Sequence, residues 1–137
     1  MKNTAKILVG GQALRELGSD RYTNDVDYLI NDTSSTQAFI TSEKEDLLNA
    51  NGNKFFAEIF KIEKGNKIAS PQSLLELKAY AFVQHCQNFN WKKVDSSEYD
   101  IKFLVRKFKL KKVTCVNKHV SYGELSEINK VIDSLKY

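Results

Sequence analysis

Residues that bind transition metals or form disulfides are scarce in this sequence of 137 residues, which has only two cysteines and two histidines. Cys86 falls in an apolar helical pattern and Cys115 stands between Thr114 and Val116. We therefore expect two buried free thiols rather than a disulfide or a metal pair. His85 and His119 show no ligand spacing either. This scarcity excludes a disulfide framework and a metal centre built on cysteine or histidine.

Long apolar runs are also missing. No stretch approaches the length that crosses a membrane, and the start of the chain, MKNTAK, lacks the apolar core of a signal peptide. We therefore expect a cytoplasmic protein with no membrane contact. Repeats, low-complexity segments and long linkers are absent from the sequence, and a hydrophobic content of 42% suffices for one core. The sequence predicts a single domain over residues 1–137, with a sheet-bearing part at residues 1–70 and a helical part at residues 71–137.

What the sequence does contain is an ordered motif in residues 7–30, ILVGGQALRELGSDRYTNDVDYLI. A short apolar strand ends at Gly10 and Gly11, where a backbone without Cβ atoms can turn sharply and let a phosphate approach. The next residues predict a short helix whose N-terminus adds positive partial charge. In the following strand, DVDYLI, the two-residue period puts Asp25 and Asp27 on one face, about 7 Å apart. A divalent cation such as Mg²⁺ relieves the repulsion between two such carboxylates, so this order predicts a metal-nucleotide site.

A bare Asp-x-Asp has a simpler interpretation, in which two solvated acids lie on an edge strand or in a turn. The surrounding residues favour a site instead. The acids follow a glycine-turn-helix unit, and Arg21 and Thr23 precede them at alternate positions.

These residues resemble the signature of the DNA polymerase β-like nucleotidyltransferase superfamily, in which a glycine pair ends the first strand and Asp-x-Asp lies on the next. The pattern GG-x-A-L-R-x-x-G and R-x-T-x-D-V-D is most similar to the abortive-infection type nucleotidyltransferases, the toxin components of some bacterial toxin–antitoxin pairs. Residues 70–81, SPQSLLELKAYA, resemble that family's helix with an inward lysine, here Lys78. Residues 99–104, YDIKFL, resemble its later Asp-Ile-x-x-Leu helix, here with Asp100.

The resemblance implies transfer of a nucleoside monophosphate from an NTP to an acceptor hydroxyl, with Mg²⁺ or Mn²⁺ as cofactor. It implies metal binding and catalysis by Asp25 and Asp27, with Asp100 in support. A third acid on a neighbouring strand would act as metal ligand and general base, and our candidate is Glu58, although the family usually has aspartate there. The residues expected to bind the nucleotide are Gly10, Gly11, Arg21, Thr23 and Lys78. For Lys78, two alternatives stay open: an ion pair with Asp100, or a stem along the core with its head in water.

The rest of the sequence predicts an α/β fold of the α+β type, a small mixed sheet followed by a helical C-terminal part. A turn at residues 32–35 caps a helix to about Asn49, and the aromatic and β-branched residues 54–62 form a third strand that carries Glu58. Residues 67–69 form a short strand, and Ser70 and Pro71 begin a long helix. Residues 88–96 form a polar loop, where Trp91 is more typical of a cap on the core than of a base-stacking platform. Ser121 caps the last helix.

Charge is unevenly distributed along the chain. Residues 1–100 contain 12 basic and 14 acidic residues, whereas residues 101–137 contain nine and three. A concentration of cations near one helix end suits a phosphate backbone, although lysines also favour solvated helix C-termini. The residues expected to contact RNA are Arg106, Lys107, Lys109, Lys111 and Lys112.

The identity of the acceptor stays open between a tRNA end and a partner protein, and a toxin of this kind would have a cognate antitoxin or another partner protein. One alternative is a nucleotidyltransferase-fold binding module that has lost catalysis and acts through a protein partner. A second is an unrelated phosphate-binding α/β domain. The latter is disfavoured, because the sequence has neither GxGxxG nor GxxxxGK[ST].

Overall fold

The chain forms two compact units with a boundary between Ser70 and Pro71, in a computed structural model that describes residues 5–135. The first unit carries a four-stranded sheet and two helices, and the second carries three longer helices. The mixed α/β class predicted from the sequence is confirmed. Within residues 5–135, no helix is both long and apolar enough to cross a membrane.

The sheet has the order β1-β2-β4-β3. Its strands are β1 (Ile7–Val9), β2 (Asp27–Ile30), β3 (Phe39–Thr41) and β4 (Asp46–Asn49). The pairs β1–β2 and β3–β4 are antiparallel, and the central pair β2–β4 is parallel. The short strand predicted at residues 67–69 is a single parallel bridge from Ile68 to Leu8.

The helix predicted up to Asn49 is wrong, because this segment forms the β3–β4 hairpin. Ser42 closes the hairpin turn, with its N–H and its hydroxyl both donating to the carbonyl of Glu45 at 3.0 and 2.8 Å. Asn49 is fully buried at the end of β4. Its amide donates to the carbonyls of Asp32, Ser35 and Gln37. These carbonyls lie 12 to 17 residues earlier in the chain, so contacts outside the local sequence hold this segment as a strand.

The strand predicted at residues 54–62 is also wrong, because Lys54–Glu63 is a helix, α2. The side chain of Asn53 caps its N-terminus by accepting from the backbone N–H groups of Phe55 and Phe56 at 2.8 and 3.0 Å. Phe56 packs edge-on against Phe39 of β3, with ring centroids 5.4 Å apart. The aromatic residues that favoured a strand therefore form the buried face of a helix on the sheet.

The remaining helices are α1 (Gly10–Glu16), α3 (Pro71–Gln87), α4 (Trp91–Phe108) and α5 (Tyr122–Asp133). The predicted starts at Pro71 and after Ser121 are confirmed, and Ser121 forms a capping box with Glu124. The predicted polar loop at residues 88–96 is shorter than expected, because α4 begins at Trp91. That tryptophan is 58% exposed rather than a cap on the core.

Glu76 of α3 is buried and ties the segment after α4 to the helices. Its carboxylate accepts from the backbone N–H groups of Thr114, Cys115 and Val116 at 2.7, 3.1 and 2.9 Å. Neither cysteine forms a disulfide; Cys115 is buried as expected, whereas Cys86 is only half-buried. Burial, aided by the nearby acids of α4 and α5, raises the pKa of the Cys86 thiol.

Candidate nucleotide and metal site

The glycine pair lies against the segment that carries the acids. Gly10 follows β1 with a φ of +68°, and an added Cβ would lie 2.2 Å from Oδ2 of Asp27. A Cβ on Gly11 would lie 2.7 Å from the methyl group of Thr23. No larger residue fits at either position without moving these side chains. The pair therefore fixes where Asp27 and Thr23 lie relative to the end of β1.

The segment from Arg21 to Asp25 is held by its own polar contacts. The hydroxyl of Thr23 accepts from the N–H of Asp25 at 3.3 Å, and Gln12 of α1 donates to the carbonyl of Thr23 at 3.3 Å. The carbonyl of Arg21 accepts from the guanidinium of Arg15 at 3.2 Å. Thr23 thus orders the turn that presents the acids.

The two acids of the Asp-x-Asp motif differ in their setting. Strand β2 begins at Asp27, which is half-buried, so Asp25 precedes the strand and is exposed. The prediction that both acids share one face of a strand is wrong, because the regular strand pairing starts after Asp25.

A second carboxylate stands beside Asp27 that sequence analysis missed. In the parallel pairing of β2 with β4, Asp27 is in register with Asp46. In-register residues of neighbouring strands point to the same face, with backbones about 4.8 Å apart. On the other side Asp27 is in register with Val9, the residue before Gly10. The two carboxylates therefore lie side by side at the end of the sheet where β1 turns into the glycine pair.

The rest of this sheet face is apolar. The next row along the same face holds Ile7, Leu29, Leu48 and Phe39. An acidic pair at the margin of an apolar face is an unfavourable arrangement unless a cation or donor meets it. The signal for Asp46 in the sequence is an acid that opens the apolar run DLL. The helix predicted up to Asn49 included Asp46, so the sequence analysis did not place this acid on a strand.

Glu58, the predicted third acid, does not lie on a strand. It belongs to α2, where it is half-buried. The prediction of its position is wrong for the same reason as the third strand. The acid on the strand next to Asp27 is Asp46 instead.

Lys78 and Asp100 meet within the second unit. The Lys78 ammonium lies 3.0 Å from Oδ2 of Asp100, with side-chain exposures of 16% and 0%. Of the alternatives for Lys78, the ion pair with Asp100 is the one observed. This contact stabilises the packing of α3 against α4, whatever further role either residue has.

The five basic residues proposed to contact RNA lie at the end of α4 and just after it, and all five are exposed. Lys109 ends α4 in a left-handed conformation, with a φ of +54°. Lys107 lies over the rings of Phe103 and Phe108, 5.7 and 5.8 Å from their centroids. Exposure of these cations is compatible with contact to a polyanion and equally with a solvated helix end.

No three histidine, cysteine, aspartate or glutamate side chains converge on a metal position in residues 5–135. The donors at the site are aspartate oxygens, which are the hard ligands that Mg²⁺ takes, usually one or two at a time, with phosphate and water completing its shell. Asp27 and Asp46 fit that requirement.

Comparisons of the chain with protein-family models, with curated proteins and with solved structures gave no match.

Proposed function

We propose that the protein is a Mg²⁺-dependent nucleotidyltransferase that moves a nucleoside monophosphate from an NTP to an acceptor hydroxyl. The observation that carries this proposal is the arrangement of Gly10, Asp27 and Asp46 at one end of the sheet. A backbone that must stay free of a Cβ lies against one carboxylate, and a second carboxylate stands in register with it. Two neighbouring carboxylates beside a glycine turn support a proposed Mg²⁺-nucleotide site at this end of the sheet.

In the proposed reaction the acceptor oxygen attacks the α-phosphorus of the NTP. The new bond from that oxygen to phosphorus forms as the bond to pyrophosphate breaks, and the acceptor proton passes to a base. Bound Mg²⁺ would neutralise the phosphate charge. Asp27 and Asp46 would hold the metal, and Asp25, exposed two residues before Asp27, would be a further ligand in the nucleotide complex.

Asp46 replaces Glu58 as our candidate for the third acid. Its position on a strand next to Asp27 is the position that the resemblance implies, and aspartate is the residue type that the family usually has there. A half-buried carboxylate beside a metal and the acceptor can take the acceptor proton.

The backbone N–H groups at Gly10 and Gly11 would contact the phosphates, and Arg21 and Thr23 would order the turn beside them. The acceptor would be a tRNA end or a protein, and a role in a toxin–antitoxin pair or in phage defence would follow from the resemblance. Lys109, Lys111 and Lys112 belong to the basic segment that would hold an RNA acceptor.

A second candidate function is a catalytically inactive module of the same fold that acts through a protein partner. The observation that favours it is the missing three-acid metal group in residues 5–135. Such a module would still be able to bind a nucleotide but would transfer nothing.

The test combines nucleotide calorimetry with a transfer assay. Wild type is titrated with each of the four NTPs in Mg²⁺, then incubated with each labelled NTP and either total RNA or cell lysate. We expect Mg²⁺-dependent binding and label on one acceptor class. Because metal-assisted charge neutralisation contributes several kcal/mol, Asp27→Asn should lower transfer by about a hundred-fold or more.

The variants Asp46→Asn and Glu58→Gln form a matched pair for the third acid. Asp46→Asn should lose transfer, whereas Glu58→Gln should retain it. Glu43→Gln, an exposed acid in the β3–β4 turn, controls for loss of negative charge. Nucleotide binding without transfer would favour the inactive module. Wild-type protein that binds no NTP in Mg²⁺ would overturn the transferase.

A further inference from the structure

Two aromatic rings at the turn between α3 and α4 project into solvent. Phe89 is 74% exposed and Trp91 58% exposed, and their ring centroids lie 6.0 Å apart at an interplanar angle of 67°. Large rings in folded domains normally bury most of their surface. We call this pair of residues the aromatic corner. Neither ring is buried in a core formed by residues 5–135.

The backbone at Phe89 is in the left-handed region, with a φ of +57°. This turn ends α3 through hydrogen bonds from the N–H of Phe89 to the carbonyl of Cys86 at 3.1 Å and from the N–H of Asn90 to that of His85 at 3.0 Å. Glycine is the usual residue at such a helix end, and asparagine the next. A bulky residue in this conformation lowers the free energy of unfolding. Because the Phe89 ring is exposed, core packing does not offset that cost. Local violations of this kind concentrate at functional sites.

Cations accompany the aromatic corner. Lys92 and Lys93 follow it directly, and both are exposed. Neither forms an ion pair with another residue of the described chain. The acids on the first half of α4 are Asp95 and Glu98, and Glu98 is engaged by Lys102 at 3.1 Å. Asp95 is exposed within the same turn, so the corner presents two rings beside two lysines and one acid, with a net positive charge.

Further basic and aromatic residues lie on the same side of α4. Arg106 and Lys107 come 14 residues after the two lysines, which places them about 21 Å further along the helix and within about 40° of the same direction. Tyr99, 48% exposed, lies midway between them on that side. Asp95, three residues after Lys92 and four before Tyr99, adds one exposed acid there. Four cations against this acid leave the side positive, and the end pair belongs to the basic segment described above.

We propose that the aromatic corner and this side of α4 bind a single-stranded nucleic acid. One or two bases would stack on Phe89 and Trp91, and backbone phosphates would contact Lys92, Lys93 and the basic residues at the far end of the helix. Stacking platforms flanked by cations are the arrangement by which proteins hold single strands. Two rings are too small for a stable protein interface, which buries about 800 Å² on each partner, and lysine is depleted in such interfaces.

Trp91 is the only tryptophan in the chain, so its fluorescence reports directly on the corner. The intact protein is titrated with oligouridylate and oligoadenylate about ten nucleotides long, which is enough to cover 21 Å of helix at about 3.4 Å per stacked nucleotide. DNA strands of equal length are run in parallel. We expect saturable quenching of Trp91, with affinity that falls as salt rises. The mixtures contain no NTP and no Mg²⁺, so failure here leaves the transferase proposal intact, and the reverse also holds.

The decisive variant is Phe89→Gly, which removes a ring while relieving the left-handed backbone. It should melt at the same temperature as wild type or higher, yet bind labelled strands about five-fold or more weakly, measured by anisotropy. The double variant Lys92→Gln with Lys93→Gln should reduce the log–log salt slope by about 1.4, since each phosphate contact to a single strand contributes about 0.7.

Matched controls lie in the first unit. Tyr22→Ser removes a ring that is 73% exposed, and Lys61→Gln with Lys64→Gln removes two exposed lysines. Both should leave binding unchanged. The proposal is overturned if wild type shows no quenching, if the controls weaken binding as much as the corner variants, or if a duplex hairpin binds as tightly as the single strand.

Discussion

The acids at the end of the sheet and two buried acids of the helical unit have different surroundings. In the helical unit, Asp100 is fully buried against Lys78, and Glu76 is buried and accepts from three consecutive backbone N–H groups. In the sheet unit, Asp27 and Asp46 stand in register as neighbours, and Asp25 is exposed. Glu63 of the sheet unit is also buried and accepts from Ser70, so the difference concerns the end of the sheet and not the unit as a whole. Like charges in register are an arrangement that occurs often at functional sites.

Net charge separates the units in the same way. The first 70 residues contain nine basic and ten acidic residues, and residues 71–137 contain 12 and seven. A nearly neutral unit with clustered acids suits a metal-nucleotide site, and a basic unit with exposed rings suits a polyanion. We therefore propose catalysis for the sheet unit and acceptor recognition for the helical unit.

The largest expected effect tests the structural role of the acids in the helical unit. Lys78→Met should destabilise the protein by about 3–5 kcal/mol, because it leaves Asp100, the fully buried partner, without its counter-charge. Asp100→Asn should cost less, since Lys78 keeps 16% exposure and can reach water. Chemical denaturation of both single variants and the double variant measures the coupling. Additive effects within about 0.5 kcal/mol would contradict a structural pair.

A smaller effect tests the contact between the glycine pair and the acids of the sheet unit. Gly10→Ala places an alanine in the left-handed conformation, which destabilises the fold by about 1–2 kcal/mol. Because the new Cβ also forces Asp27 to move, we expect a loss at the upper end of that range or more. Gly65→Ala is the matched control, because its φ is +92° and an added Cβ meets no atom within 4 Å. The difference between their unfolding free energies isolates the contact with Asp27.

Nucleotide binding gives this pair of variants a second readout. Gly10→Ala should lose Mg²⁺-NTP binding, while Gly65→Ala should retain it. Equal stability and equal binding in the two variants would show that Gly10 holds no special position relative to Asp27.

The sequence predicts best those features that depend on residues close together in the chain. The contact of Gly10 with Asp27 and the helix starts at Pro71 and after Ser121 follow from short motifs in which backbone conformation and side-chain chemistry agree. The class of fold followed from them. The pairing of Lys78 with Asp100 was one of the alternatives that helical spacing offered.

The exchange of helix and strand between residues 36 and 62 shows what local reasoning misses. Phe55, Phe56 and Ile59 favour a strand by propensity but form a helical face because Asn53 caps them, and tertiary packing decides between the two. Asp46 could not be placed beside Asp27 without β4, and β4 depends on the bonds of Asn49 to a distant loop. Register between strands far apart in sequence is the information that one sequence lacks.

The smallest expected effect concerns His85, at the end of α3 beside the aromatic corner. Burial, with the positive charges of Lys93 and Lys78, lowers the pKa of His85 below its usual 6.5. As the pH falls through about 6.5, His85 in the unfolded chain binds a proton. In the folded protein, His85 binds that proton only when the pH reaches its lower pKa. Stability that is present above that pH is therefore lost across this window, and the loss ends below the folded pKa.

Because the chain has only two histidines, proton NMR can follow both rings, and the His85→Gln spectrum assigns them. We expect Lys93→Gln to move the pKa of His85 upward, while Lys61→Gln, in the other unit, leaves it unchanged. Thermal melts between pH 5 and 7.5 should show a shallower loss of stability in Lys93→Gln than in wild type. If a bound single strand neutralises Lys93, it should raise the pKa of His85 in the same direction as the variant. If saturating oligonucleotide leaves the pKa of His85 unchanged, the bound phosphates do not contact Lys93. The strand would then contact only the aromatic rings.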